Sequence, residues 1–94
     1  MIILKRVTDI KEWLQSGISI NATIGFVPTM GALHHGHLSL LKESKKKADI
    51  SVVSIFINPA QFDNKSDLEK YPSPVVQDIT LLEENGCDIL FLPS

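Results

Sequence analysis

The chain of 94 residues has a single cysteine, Cys87, so no internal disulfide can form and a small disulfide-stapled scaffold is excluded. Long apolar runs are lacking too. The longest uncharged stretch, Ile50 to Phe62, is interrupted by Ser51, Ser54, Asn58, Pro59 and Gln61, and is too short and too polar to span a bilayer. The amino terminus, Met1-Ile2-Ile3-Leu4-Lys5-Arg6, carries its basic residues after a very short apolar run, the reverse of a secretory signal. These features lead us to expect an intracellular protein with no membrane partner, in which the Asn21-Ala22-Thr23 sequon has no meaning. Positive charge is not in excess. A net charge of −2 argues against a broad nucleic-acid-binding face, and the only basic run, Lys45-Lys46-Lys47, falls where a helix should end and cations complement its dipole. There are no repeats and no low-complexity tract.

The composition, 44% hydrophobic and 21% charged, is that of one globular domain covering residues 1–94. Ile2 to Leu4 is expected as a short edge strand. Asp9 and Glu12 form a weak capping-box pair before Ile10, Trp13 and Leu14 on one helical face, and Gly17 stops that helix. Thr23 to Pro28 is the first clear strand. A helix from Gly36 to Lys47 turns Leu40, Leu41, Ser44 and Ala48 inward, and Asp49 marks its exit. The β-branched run Ile50 to Ile57 fits a strand covered on both faces of a parallel sheet, ended by Asn58-Pro59. Ala60 to Pro74 is polar and proline-bearing, a long surface loop. Ser73 and Pro74 then open a helix to Asn85, with Val75, Val76, Ile79 and Leu82 at helical spacing and Gly86 closing it; Ile89 to Leu92 is the third core strand.

Strands alternating with helices predict βαβ crossovers and a parallel sheet, an α/β fold. All three core strands then point the same way, and ligands of open α/β sheets bind at their carboxyl edge. Pro28 to His37 and Asn58 to Phe62 leave the sheet at that edge, as do Pro93-Ser94, where the chain stops. A sheet cut just after a strand leads us to expect the front piece of a longer enzyme.

The segment Thr29-Met30-Gly31-Ala32-Leu33-His34-His35-Gly36-His37 carries the chemistry. A strand that breaks at proline and glycine and then opens a helix aims backbone N–H groups at one point, a ready phosphate site. Gly31 supplies the tight turn, and Gly36 leaves no side chain in a phosphate's way. His34 and His37, three residues apart at the helix entry, share one side, where ring N–H groups can hold phosphate oxygens as charge builds in a transition state. His35 points elsewhere. A zinc site of the three histidines is disfavoured, because adjacent side chains diverge and helical zinc pairs prefer i,i+4 spacing. Gln61, just past Asn58-Pro59, offers a carboxamide that suits a small hydroxy acid or simply faces solvent. Asn58 ties down its own turn or contacts a ligand, and Met30 covers an adenine or a small acid or packs in the core. Tyr71, the one tyrosine, lies in the long loop, and Cys87 reads as a small buried hydrophobe.

Three blocks resemble the amino-terminal half of the pantoate and β-alanine ligases: Val27-Pro28-Thr29-Met30-Gly31-Ala32-Leu33-His34-His35-Gly36-His37-Leu38-Ser39-Leu40, then Val53-Ser54-Ile55-Phe56-Ile57-Asn58-Pro59-Ala60-Gln61-Phe62, then Asp67-Leu68-Glu69-Lys70-Tyr71-Pro72. His-x-Gly-His alone marks the wider nucleotidyltransferase superfamily, whereas the Pro-Thr-Met-Gly start with Asn-Pro-x-Gln-Phe belongs to this family. The resemblance implies the Rossmann-like three-layer fold of the HIGH superfamily with a parallel sheet, of which this chain would be the amino-terminal portion. It implies that pantoate attacks the α-phosphate of ATP to give pantoyl adenylate and pyrophosphate, and that β-alanine then displaces AMP, a step toward coenzyme A, with Mg2+ accompanying ATP. By the same resemblance Met30, Gly31, Ala32, Leu33, His34, His35, Gly36 and His37 hold ATP, with His37 the proton donor and His34 assisting at the phosphates. Gln61 binds pantoate, with Asn58 and Met30 supporting that pocket, and no protein metal ligand is implied. Family members carry a carboxyl-terminal domain with a phosphate-binding lysine and are commonly cytoplasmic homodimers. Here Ser73-Pro74 follow Tyr-Pro where the family more often has Arg-Thr, and no lysine in the matched blocks replaces that of the second domain, so little or no turnover is expected from these residues alone. Other HxGH adenylyltransferases use an aspartate-bearing block with a different offset, which Gly25 to Met30 lacks. A nucleotide-binding or assembly module without catalysis of its own is the reading from another class.

Overall fold

The computed structural model describes residues 1–16, 21–56 and 73–93. Its elements run β1 (Ile2–Leu4), α1 (Val7–Leu14), β2 (Ile24–Thr29), α2 (His35–Lys47), β3 (Ile50–Ile55), α3 (Ser73–Glu84) and β4 (Ile89–Phe91). The four strands form one sheet in the order β1-β4-β3-β2, and every pairing is parallel. Ile24 to Thr29 pair in register with Ile50 to Ile55, and Val52 to Ser54 with Ile89 to Phe91. β3 is therefore interior, which is why its β-branched residues Val52, Val53 and Ile55 are all buried although successive side chains leave opposite faces.

The main core occupies one face. Val27, Val53, Ile55 and Leu90 from the strands, with Leu92 just past β4, meet Leu41 of α2 and Val75 and Leu82 of α3, with Cys87 beside them. Burial pushes the Cys87 thiol above its ordinary range, as expected of a small buried hydrophobe. Its Sγ also lies 3.2 Å from the Ile89 carbonyl oxygen.

Several sequence expectations change in detail: β3 ends at Ile55 rather than Ile57, leaving Phe56 56% exposed, and β4 ends at Phe91 rather than Leu92. Leu40, expected inward, is 57% exposed, while Leu41 is 1% exposed. The reason is the close approach of α2 to β2 at Gly25: a Cβ there would collide with Ser44 Oγ, and Ser44 Oγ in turn bonds Ser51 Oγ at 2.7 Å. That approach fixes the rotational phase of α2 on Leu41, Ser44 and Ala48 and turns Leu40 outward. On α3, Val76 is 56% exposed, and the inward stripe is Val75, Asp78, Ile79 and Leu82. At α1, Arg6 is the N-cap without a side-chain cap bond, and Asp9 receives an Arg6 guanidinium fork at 3.2 Å instead of forming a box with Glu12. Leu14 is 44% exposed, and Gly17 lies outside the described residues. Finally, β2 runs through Thr29, one residue past the expected Pro28.

The closures expected for α2 and α3 hold, while the long loop expected from Ala60 lies outside the described residues up to residue 72 and gives way to α3 at Ser73. Gly86 has φ +79°, Gly86 N–H bonds the Glu83 carbonyl and Cys87 N–H the Leu82 carbonyl, a Schellman closure of α3. Lys45, in the basic last turn of α2, donates to the Gly86 carbonyl at 2.9 Å, while Lys46 and Lys47 face Glu43. Asp49 exchanges bonds with Thr23, joining the starts of β2 and β3. Among the described residues no helix is long and apolar enough to cross a membrane.

Leu41→Ala should destabilise the chain by about 2–5 kcal/mol in urea unfolding, whereas Leu40→Ala should stay within about 0.5 kcal/mol. Equal costs at the two positions would contradict this phase of α2.

Candidate functional site

At the carboxyl end of β2, Thr29 is buried with its Oγ1 donating to the Ser54 carbonyl at 2.9 Å and accepting from Gly31 N–H at 3.2 Å. Gly31 (φ +92°) and Ala32 (φ +54°) then take two successive left-handed conformations. Glycine accepts this freely, but for alanine it costs about 1–2 kcal/mol. The turn aims the N–H groups of Ala32 and Leu33 in one direction, and both donate to the Asp78 carboxylate at 2.9 Å. Asp78 is 2% exposed. Charge-assisted bonds of this kind contribute about 1.5–3 kcal/mol each, enough to outweigh the left-handed alanine.

His34 is the N-cap of α2. Its Nδ1 accepts from Gly36 N–H at 3.0 Å, and His37 Nδ1 accepts from His34 N–H at 3.2 Å, so two histidines build a reciprocal capping box in place of the usual serine and glutamate. The ring centroids lie 4.2 Å apart with planes at 48°. An imidazole nitrogen that accepts carries no proton, and a neutral ring then holds its proton on the other nitrogen. Both rings are thereby set as Nε2–H donors, with His34 exposed and His37 half-buried.

This arrangement differs from the expected phosphate cradle of backbone amides. The N–H groups of Gly31, Ala32, Leu33, His34 and Gly36 are already bonded within the chain. What the helix entry offers an anion is a pair of imidazole donors rather than a nest of amides. Met30 is 61% exposed just past β2, which removes the core-packing reading. Leu33 packs against the core and so anchors the loop. His35 lines a separate groove of about 580 Å³ with Leu38, Ser39, Lys42, Lys45 and Asn85, pointing away from the other two histidines. Gln61, Asn58 and Tyr71 lie outside the described residues. Among the described residues no three His, Cys, Asp or Glu side chains converge as a metal site.

Asp78 was not singled out by the sequence. The available signal was its place at an inward position of the Val75, Ile79, Leu82 stripe, where a carboxylate has to find donors.

A parallel α/β sheet whose first long strand runs into an HxGH-opened helix defines the Rossmann-like nucleotidyltransferase class. The sequence pattern of the family described as Pantoate-beta-alanine ligase matches residues 2–94, and the chain belongs to that family. It is 56% identical to the pantothenate synthetase of Flavobacterium psychrophilum over 95 residues, covering 100% of this chain and 34% of that protein. For the Listeria welshimeri pantothenate synthetase the identity is 46% over 94 residues, covering 100% and 33%. Among solved structures, the pantoate-beta-alanine ligase of Francisella tularensis, complexed with beta-gamma ATP and beta-alanine, superposes with a TM-score of 0.79 at 47% identity, covering 100% of this chain and 36% of that one. The pantothenate synthetase of Thermus thermophilus gives a TM-score of 0.75 at 37% identity, covering 100% and 32%. The chain thus spans about a third of the length of these relatives.

Gly36→Ala tests the capping geometry, because a Cβ at position 36 would lie 2.8 Å from His34 Cε1 and 3.2 Å from its Nδ1. The lost cap and the better helix former are each worth about 1 kcal/mol, so the urea midpoint should move little while the His34 ring leaves its single Nε2–H form in imidazole nitrogen NMR spectra. An unchanged ring would contradict the cap.

Proposed function

We propose that residues 1–94 form the nucleotide- and pantoate-binding domain of a pantothenate synthetase, which joins pantoate and β-alanine at the expense of ATP. The observation that carries this reading is the pair of imidazoles at the carboxyl end of β2, each accepting a backbone N–H at Nδ1 and so leaving Nε2 free to meet a phosphate. Support comes from the family match over nearly the whole chain and from the F. tularensis relative, whose structure is a complex with beta-gamma ATP and beta-alanine.

The pantoate carboxylate attacks the α-phosphorus of ATP, the bond to the bridging oxygen breaks, and pyrophosphate leaves with that electron pair. The β-alanine amine then attacks the acyl carbon of the adenylate, loses a proton, and AMP departs, leaving the amide. Charge grows on phosphate oxygens in the first step, where a preorganised donor is most effective. His37 Nε2–H is the donor to those oxygens and His34 Nε2–H its partner. Met30 and the 31–36 segment border the nucleotide, Gln61 receives pantoate and Asn58 supports it. Mg2+ accompanying ATP would supply charge neutralisation at the phosphates, and no side chain of this chain is assigned to hold it. The complete enzyme is cytoplasmic and homodimeric in this reading, and residues 1–94 alone turn over little, since a second domain supplies the phosphate-binding lysine.

In the full-length ligase containing this sequence, His37→Ala should lower turnover by about 10²–10³, on the order of 3–4 kcal/mol, in a pantoate-dependent AMP-release assay. An unchanged rate removes His37 from the mechanism. Gln61→Ala should weaken pantoate far more than ATP, and equal losses would refute its assignment.

A further inference from the structure

We infer that Asp78 is a positioning residue for the nucleotide site: from α3 it holds the Gly31–Ala32 turn and, through that turn, keeps His34 and His37 in their reciprocal cap with Nε2–H turned outward. The inference rests on the nucleotide-site reading above for its consequence in binding, but its structural half stands alone.

Successive backbone N–H groups across a left-handed turn make a concave anion site. Here that site is filled by an internal anion: the Ala32 and Leu33 N–H groups each give a 2.9 Å bond to a different oxygen of Asp78, whose side chain is nearly inaccessible to solvent. A Cβ built on Gly31 would sit 3.6 Å from Asp78 Oδ2, so the carboxylate also packs under the apex of the turn. The residue that follows Leu33 is His34, whose N–H is the donor to His37 Nδ1. The direction of that N–H is set by the peptide plane between Leu33 and His34, and the Leu33 N–H on the preceding plane is the one Asp78 holds. If the turn relaxes, His34 N–H leaves His37 Nδ1, and the His37 ring loses what fixes its tautomer. A merely space-filling residue would leave the tautomers alone.

The test uses the chain and three variants. In the wild type, imidazole nitrogen spectra should show both rings in a single Nε2–H form, and the Ala32 and Leu33 amides should be protected from hydrogen exchange. Asp78→Asn keeps size but presents an NH2 to one of the two donors. It should leave the sheet amides dispersed, convert His34 and His37 to mixed tautomers, and weaken Mg-ATP by roughly 10–100-fold, as positioning losses do. Adding Ala32→Gly, which takes the left-handed conformation at no steric cost, should recover part of the single-tautomer signal. Thr80→Ala, on the exposed side of the same helix, should change neither readout. A folded D78N with unaltered rings overturns the inference. So do mixed tautomers or rapidly exchanging Ala32 and Leu33 amides in the wild type, which decide the matter even if D78N does not fold. Mg-ATP affinity is read in the full-length ligase containing this sequence: no Mg-ATP binding by that unsubstituted protein would refute the proposed function, while the ring spectra still judge Asp78.

Discussion

The loop that joins β2 to α2 makes two successive left-handed residues, one of them an alanine, steadied locally by the Gly31 N–H bond to Thr29 Oγ1. Further compensation comes from a carboxylate 45 and 46 positions further along the chain, on a helix that follows another strand. The bonds that Asp78 accepts tie the turn to α3, so the site as seen draws on the βαβαβ arrangement and not on the HxGH segment alone. Burying Asp78 without those two donors would be costly, and making the turn without Asp78 would leave two aligned N–H groups unbonded. Each half of the arrangement therefore requires the other, and together they set where α2 begins.

The second consequence concerns what faces a ligand. Helix entries are commonly read as clusters of free amides awaiting phosphate. In this chain most of those amides are spent internally: one on Thr29, two on Asp78 and two on the histidine rings. In the proposed function the recognition task passes to the imidazoles, whose Nδ1 atoms accept within the chain and leave Nε2 to donate. A ring donor reaches further from the backbone than an amide does. In the proposed function that reach would bring the donor to a phosphorus centre as charge builds on its oxygens.

Much of the fold was legible because its signals are local. The β-branched run from Ile50, the glycine that closes α3 at Gly86, and the Lys45 to Lys47 helix end each follow from residue chemistry within a few positions. The phase of α2 was not legible, because it depends on Gly25 of another strand admitting Ser44, and apolar periodicity gives Leu40 and Leu41 equal claims. Val76 misled for the same reason: hydrophobicity favoured it over Asp78, although the carboxylate is the residue that faces inward. In the site, the spacing of His34 and His37 and the opposite direction of His35 were readable from the motif. Their tautomers and the role of Asp78 were not, since both arise from hydrogen bonds whose partners the sequence does not announce. Gln61 and Asn58, recognised through family resemblance, lie outside the described residues.

The central claim is that His34 and His37 present paired Nε2–H donors to a nucleotide at the carboxyl end of β2. The most direct test is an NMR titration of the chain with Mg-ATP and then pantoate, following the ring N–H signals of both histidines and the side-chain amide of Gln61. Mg-ATP should shift both ring signals, with pantoate then shifting Gln61. A folded chain in which saturating Mg-ATP leaves both rings unmoved would contradict the claim.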